Sequence, residues 1–147
     1  MLTYQELDTI ADAYIPTLLI ISLVVFVIDI PKQGFKRKLN EFGSLIIAVL
    51  LVYAIMALDN YFQLWPKLNL DYSTHTALSL VFVVYLSAKN MTLLALSALS
   101  FVLYVLLMLY QEYHTLADII STFTILILPF WALLFRPPTK QSYLAEA

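Results

Sequence analysis

The sequence predicts an all-α integral membrane protein, a single domain with a bundle of five transmembrane helices preceded by an N-terminal interfacial helix. Three observations carry this reading. Of 147 residues, 62% are hydrophobic and 12% charged, with a mean hydropathy of +0.86, a balance outside the range of soluble domains. Apolar runs of about 20 residues, long enough to cross a bilayer, recur along the chain. The positive charges gather in one connection, which gives the bundle a direction. The absence of cysteine excludes disulfides and thiolate metal sites. Basic residues are few and mostly confined to one loop, which excludes a nucleic-acid footprint.

The elements follow in order. Residues 1–14, MLTYQELDTIADAY, set Thr3 and Glu6 at capping-box spacing, with Tyr4, Leu7, Ala11 and Tyr14 apolar or aromatic. That pattern predicts an amphipathic interfacial helix. The stretch lacks the basic start and small-residue cleavage site of a secretory signal, so the run behind it is expected to stay in the mature chain. A first span covers about 15–30, with Pro16 at its start and Pro31 closing it. The connection PKQGFKRKLNEFG holds Lys32, Lys36, Arg37 and Lys38, and the positive-inside rule makes it cytoplasmic. Contact with anionic lipids is its simplest further role.

A second span, about 42–58, ends at Asp59 and Asn60, and YFQLWPKLNL (61–70) then reads as an interfacial belt or partly buried lid. Trp65, Trp131 and the tyrosines read as interfacial anchors. The third span, about 72–88, meets the fourth, about 91–110, at the tight turn Lys89–Asn90. The fifth, about 114–135, contains Pro129, which predicts a kink, and stops at Arg136, Pro137 and Pro138. With the N-terminus outside, seven of the eight Lys and Arg residues (Lys32, Lys36, Arg37, Lys38, Lys89, Arg136, Lys140) fall inside and Lys67 outside. Only two glycines are present, so close helix contacts fall to Ala, Ser and Thr, such as Ser87, Ser97 and Ser100.

The chemistry is concentrated in YQEYHTLADIISTFTI (110–125). His114 and Asp118, four residues apart, would share a helix face, letting the carboxylate reach an imidazole nitrogen and fix its tautomer. An aspartate in a membrane helix costs a few kcal/mol and is a functional hypothesis by default. The second histidine, His75 in LDYSTHTALSL, opens the third span. The third and fifth spans run in the same direction, so both histidines are expected at the outer end, facing each other. Helix N-termini there offer partial positive charge and free N–H groups to a phosphoryl group. Ser73, Thr74, Thr76 and Thr115 add hydroxyls. One histidine as nucleophile and the other as acid on the leaving oxygen would suit attack on a phosphate ester.

The S-T-H-T of Ser73 to Thr76 resembles the P-S-x-H motif, and the H-T-L-A-D of His114 to Asp118 the H-x-x-x-D motif, of the type 2 phosphatidic acid phosphatase superfamily. That superfamily includes lipid phosphotransferases of the sphingomyelin synthase-like branch. The resemblance covers about 71–125. It implies a roughly parallel pair of motif-bearing helices with the site at the outer leaflet, His114 as nucleophile, Asp118 as its orienting partner, His75 as general acid and Ser73 on the phosphate. Tyr72 stands where the motif has proline and Met108 where the phosphatase branch has arginine, and Lys67 is the sole outer candidate for the upstream basic motif. With Asp59, Asp71 and Glu112 nearby in the sequence and so little positive charge, a phosphodiester or zwitterionic head group fits better than a monoester.

The expected activity is therefore that of a lipid phosphatase or head-group phosphotransferase of the cell membrane, with His114, Asp118 and His75 catalytic and Ser73, Thr74, Thr115 and Lys67 binding substrate. Its expected partners are a phospholipid or lipid-phosphate substrate and the surrounding lipids; self-association as a homo-oligomer is left open. No cofactor is called for. The same His and Asp residues also suit a transporter or proton relay, or a zinc site. A non-catalytic membrane subunit is a third class, and there the VanZ-like family is the nearest look-alike, through Gln111 and Glu112. Asp29 and Asp59, at span ends, read as structural.

Overall fold

The structure, a computed structural model, describes residues 3–135. Five α-helices follow one another: α1 (Tyr4–Gln33), α2 (Phe35–Phe62), α3 (Thr74–Ser87), α4 (Met91–Tyr110) and α5 (Leu116–Leu134), with a 3-10 turn at Pro66–Leu68 before α3. No strand occurs among the described residues. Four helices, α1, α2, α4 and α5, are long and apolar enough to cross a membrane.

The interfacial helix and first span are one continuous helix. Thr3 caps it in a capping box, its hydroxyl accepting from the Glu6 N–H at 3.3 Å while its own N–H donates to the Glu6 carboxylate at 2.7 Å. Pro16 removes one backbone rung, yet the helix runs on, its N-terminal half packed against α3 and α4. Ala11 is buried and the Tyr14 ring stacks on Tyr104 of α4 at 4.0 Å. The basic connection is likewise helical. Gly34 alone, at φ +81°, a conformation that favours glycine, separates α1 from α2, so Lys36, Arg37 and Lys38 form the first turn of α2.

Helix α3 has 14 residues, about 21 Å, short of the roughly 30 Å of a hydrocarbon core. It is apolar on every side, and Ala77, Leu80, Val81, Phe82, Val83, Val84, Tyr85 and Leu86 are all buried, the pattern of a helix sheathed by others. It packs against each of the other four. Small hydroxyl residues let helices close in, as expected: Ser87 and Ser97 are hydrogen-bonded at 3.2 Å, Tyr14 and Ser100 at 3.0 Å.

The two ends of α3 differ in character. At its C-terminal end lies the basic end of the bundle, where the fully buried Lys38 donates to Glu41 at 2.9 Å and Asp29 at 3.4 Å, and Lys89 pairs with the same Glu41. Its N-terminal end carries His75. Arg136 and Lys140, assigned to the inner side from the sequence, lie outside the described residues, as do Pro137 and Pro138. Helix α5 continues through Pro129 to Leu134.

Two aromatic assignments need correction. Trp65 is no interfacial anchor: it is 5% exposed, its indole N–H donates to Ser121 at 3.0 Å, and its ring meets Tyr72 edge-on at 5.0 Å. Tyr14, Tyr72, Tyr85 and Tyr104 are also packed into the bundle. Asp59 is structural, as expected, accepting from the Trp65 N–H at 2.8 Å to turn the chain after α2.

Candidate functional site

His75 and His114 meet at the starts of α3 and α5. Their ring centroids lie 6.3 Å apart at an interplanar angle of 58°. Each ring is held differently. His75, in the first turn of α3, is hydrogen-bonded through Nδ1 to the Tyr104 hydroxyl at 2.9 Å and stacked against Tyr113 at 6.0 Å. Asp12 on α1 is within electrostatic reach of both His75 and Tyr104. Tyr104 lies six residues before the last residue of α4, and both histidines are half-buried.

His114 is not on a helix. Thr115 takes the N-cap of α5, and its capping box with Asp118 leaves His114 one residue outside, in the turn after α4. The expectation that His114 and Asp118 share a helical face is therefore overturned. The reason is local: T-x-x-D at helix-start spacing satisfies two otherwise unpaired N–H groups, and it fixes the boundary two residues later than the apolar run suggested.

Asp118 is buried and its oxygens are engaged elsewhere. One accepts from the Thr115 N–H at 2.8 Å and the Thr115 hydroxyl at 2.7 Å, the other from the Asp71 N–H at 2.7 Å. It acts as a clasp, tying the chain before α3 to the first turn of α5. The carboxylate that faces His114 is that of Asp71, with Oδ2 at 3.7 Å from Nδ1. This is ion-pair reach, too long for a hydrogen bond, and Nδ1 of His114 is buried without a hydrogen-bond partner.

The remaining expected residues divide. Ser73 is wholly buried as the N-cap of α3: its hydroxyl accepts from the Thr76 N–H at 3.2 Å and its own N–H donates to Thr122 at 3.2 Å. It shapes the helix start and is closed to a ligand. Thr74, beside His75, is half-buried, and Thr115 is exposed next to His114. Lys67 is exposed on the 3-10 turn. Tyr72, at the motif-proline position, is buried and donates to the Val52 carbonyl at 3.2 Å. Met108 is sealed in an apolar cluster with Ala11, Tyr104 and Ile119, so no cation reaches the site from that position.

Sequence reasoning missed Tyr104 and Tyr113, and it counted Asp71 only among the negative charges near a bound phosphate. Tyr104 falls in an apolar run and reads, like the other tyrosines, as an interfacial anchor; only the packing of α4 on α3 brings its hydroxyl to His75. Gln111, at the C-cap of α4, is 4% exposed with neither side-chain polar atom partnered, while its carbonyl accepts from the Tyr4 hydroxyl at 3.5 Å. Among the described residues, no group of three or more His, Asp or Glu side chains converges as a metal ion requires. Fold and residues together define a class only coarsely, an all-helical bundle with four helices able to cross a membrane and two histidines meeting at one end. Comparison of the chain with protein-family models, curated proteins and solved structures gives no match.

Proposed function

We propose that this protein cleaves or transfers a phosphate-linked lipid head group through a histidine pair. The observation that carries the proposal is the approach of His75 and His114, from two separate helix starts, to a ring separation of 6.3 Å. A phosphoryl group bridging the two rings would have one nitrogen in line with phosphorus and the other within reach of an ester oxygen. The hydrogen bond of His75 Nδ1 to Tyr104 and the approach of the Asp71 carboxylate to His114 Nδ1 favour Nε2 of each ring as the nitrogen that meets substrate.

In the first step, the Nε2 lone pair of His114 forms a bond to phosphorus as the bond to the leaving oxygen breaks. That oxygen takes its proton from His75. Attack by water or a second lipid hydroxyl on the phosphohistidine then releases the phosphoryl group and returns the proton to His75. Asp71 takes the orienting role first assigned to Asp118, and Asp118 acts at one remove by holding the Asp71 backbone. With Asp71 and Asp12 close and Met108 apolar, the site favours a diester or zwitterionic head group over a doubly charged monoester.

The same reading places the chain in the cell membrane as five spans with the N-terminus and both histidines outside. Helix α3 then spans only as a core helix sheathed by the other four, and the chemistry sits at the outer end of the bundle. The gathering of Lys32, Lys36, Arg37, Lys38 and Lys89 at the opposite end supports this orientation.

The test is turnover of a lipid panel in detergent, with vanadate and with chelator. Phosphodiester lipids are expected to turn over, vanadate to inhibit, and His75→Ala to lower kcat by about 10²- to 10⁴-fold. Loss of activity with chelator and its return with zinc would replace the nucleophile with a metal site. The His75–Tyr104 hydrogen bond with Asp12 in reach also favours a second reading, a proton relay. Proton-coupled uptake that fails in His75→Ala, without turnover of any phospholipid, selects that one.

A further inference from the structure

We propose that the basic end of the bundle, on the far side of α3 from the histidines, holds a discrete binding site for one phosphate-bearing anion, in the cavity between the first turn of α2, the turn after α3 and the end of α5. The cavity is about 640 Å³, and Lys36, Arg37, Asn40 and Lys89 line its polar side, with Leu133 and Leu134 on its apolar side.

Three cations face this space against one carboxylate, Glu41. That carboxylate is already engaged by two ammonium groups, accepting from Lys38 at 2.9 Å and from Lys89. Lys38 also reaches Asp29 at 3.4 Å, which Lys32 approaches at 3.7 Å, so the two carboxylates are already shared among three ammonium groups. Lys36 and Arg37 are the cations this network leaves over, and both are exposed to the cavity.

Their position sharpens the imbalance. They occupy the first turn of a 28-residue helix with no side-chain cap and no acidic residue in that turn, where the macrodipole disfavours positive charge. A bound anion reverses the sign of that interaction and meets the free N–H groups of the same turn. Lys89 has a second reason to accept an anion: burial pulls its pKa down and the Glu41 carboxylate only opposes this in part, so further negative charge would stabilise its ammonium form. The polar side beside Leu133 and Leu134 suits a phosphate attached to an apolar or glycerol-like group. An anionic phospholipid head group and a soluble phosphate ester share that chemistry.

The test uses the full chain in non-ionic detergent, with retention of phosphatidylglycerol against phosphatidylcholine read by native mass spectrometry. One phosphatidylglycerol is expected to be retained preferentially. Lys36→Gln with Arg37→Gln should weaken retention about 25-fold, at about fivefold per charge removed near a membrane surface, and Lys36→Arg with Arg37→Lys should restore it. Lys36→Gln alone should weaken retention about fivefold, whereas Lys32→Gln, which removes one charge from the same end but outside the cavity, should change it less than twofold. Displacement of the lipid by millimolar glycerol phosphate or inorganic phosphate would identify the natural ligand as soluble; resistance to both identifies the lipid. Equal loss in Lys32→Gln and Lys36→Gln, or unchanged retention in the doubly neutralised chain, would overturn the site in favour of a diffuse surface potential.

Discussion

Replacing Asp118 tests the clasp against the catalytic role first assigned to it. Asp118→Ala removes an acceptor of three hydrogen bonds, two of them from backbone N–H groups. Thr115 is exposed, so its N–H can turn to water, and losing the Asp118 half of the capping box costs about 1 kcal/mol. The Asp71 N–H is left partly buried without a partner, at about 1–3 kcal/mol. The sum, about 2–4 kcal/mol, is a large part of a typical stability and corresponds to a fall in Tm of about 5–15 °C for a chain of this size. Asp71→Asn provides the contrast. Its side chain is 72% exposed and the hydrogen bond it gives Asp118 is from the backbone, so stability should change by less than about 0.5 kcal/mol. The proposed turnover should nevertheless fall about tenfold or more, below the roughly 10⁴-fold known for a buried orienting carboxylate. Thermal loss of helix, followed by circular dichroism in detergent, and the lipid-turnover assay read the two effects separately. A destabilised Asp71→Asn beside an Asp118→Ala that melts normally would refute the assignment of both residues.

Three further outcomes are expected. Activity losses in His114→Ala and Asp71→Asn should be non-additive, the double variant being no worse than His114→Ala alone, as for groups acting as a unit; fully additive losses in kcat would separate them. Lys38→Met, which leaves the half-buried Asp29 and Glu41 with one ammonium partner each, Lys32 and Lys89, should cost about 1.5–3 kcal/mol, read as a lowered midpoint of denaturation, and a silent substitution would mean that the network does not hold the basic end. Cysteines placed at Lys36 and Glu112 should label from opposite sides of a sealed vesicle, and labelling from one side would remove the proposed topology and the outer site with it.

Much of the architecture was legible in the chain because hydropathy and helix caps are local properties. The runs around α2, α4 and α5 announce helices, Thr3-x-x-Glu6 marks the start of α1, and the direction of α3 and α5 follows from counting crossings, which is enough to bring His75 and His114 to one end. Composition alone could not say that α1 is continuous. An amphipathic start followed by proline reads as a break, whereas the stacking of Tyr14 on Tyr104 holds the start of the helix against the bundle. Nor could spacing say which carboxylate faces His114. The His114–Asp118 interval has helical periodicity, but the Thr115–Asp118 capping box competes for the same aspartate and prevails, since unpaired N–H groups at a helix start are costly to leave. Asp71, 43 residues away in the chain, then meets His114 only because Asp118 holds its backbone against α5. The sequence by itself determined the helices and the end at which the histidines gather; tertiary packing decided their partners, because those partners lie on different helices and no local pattern links them.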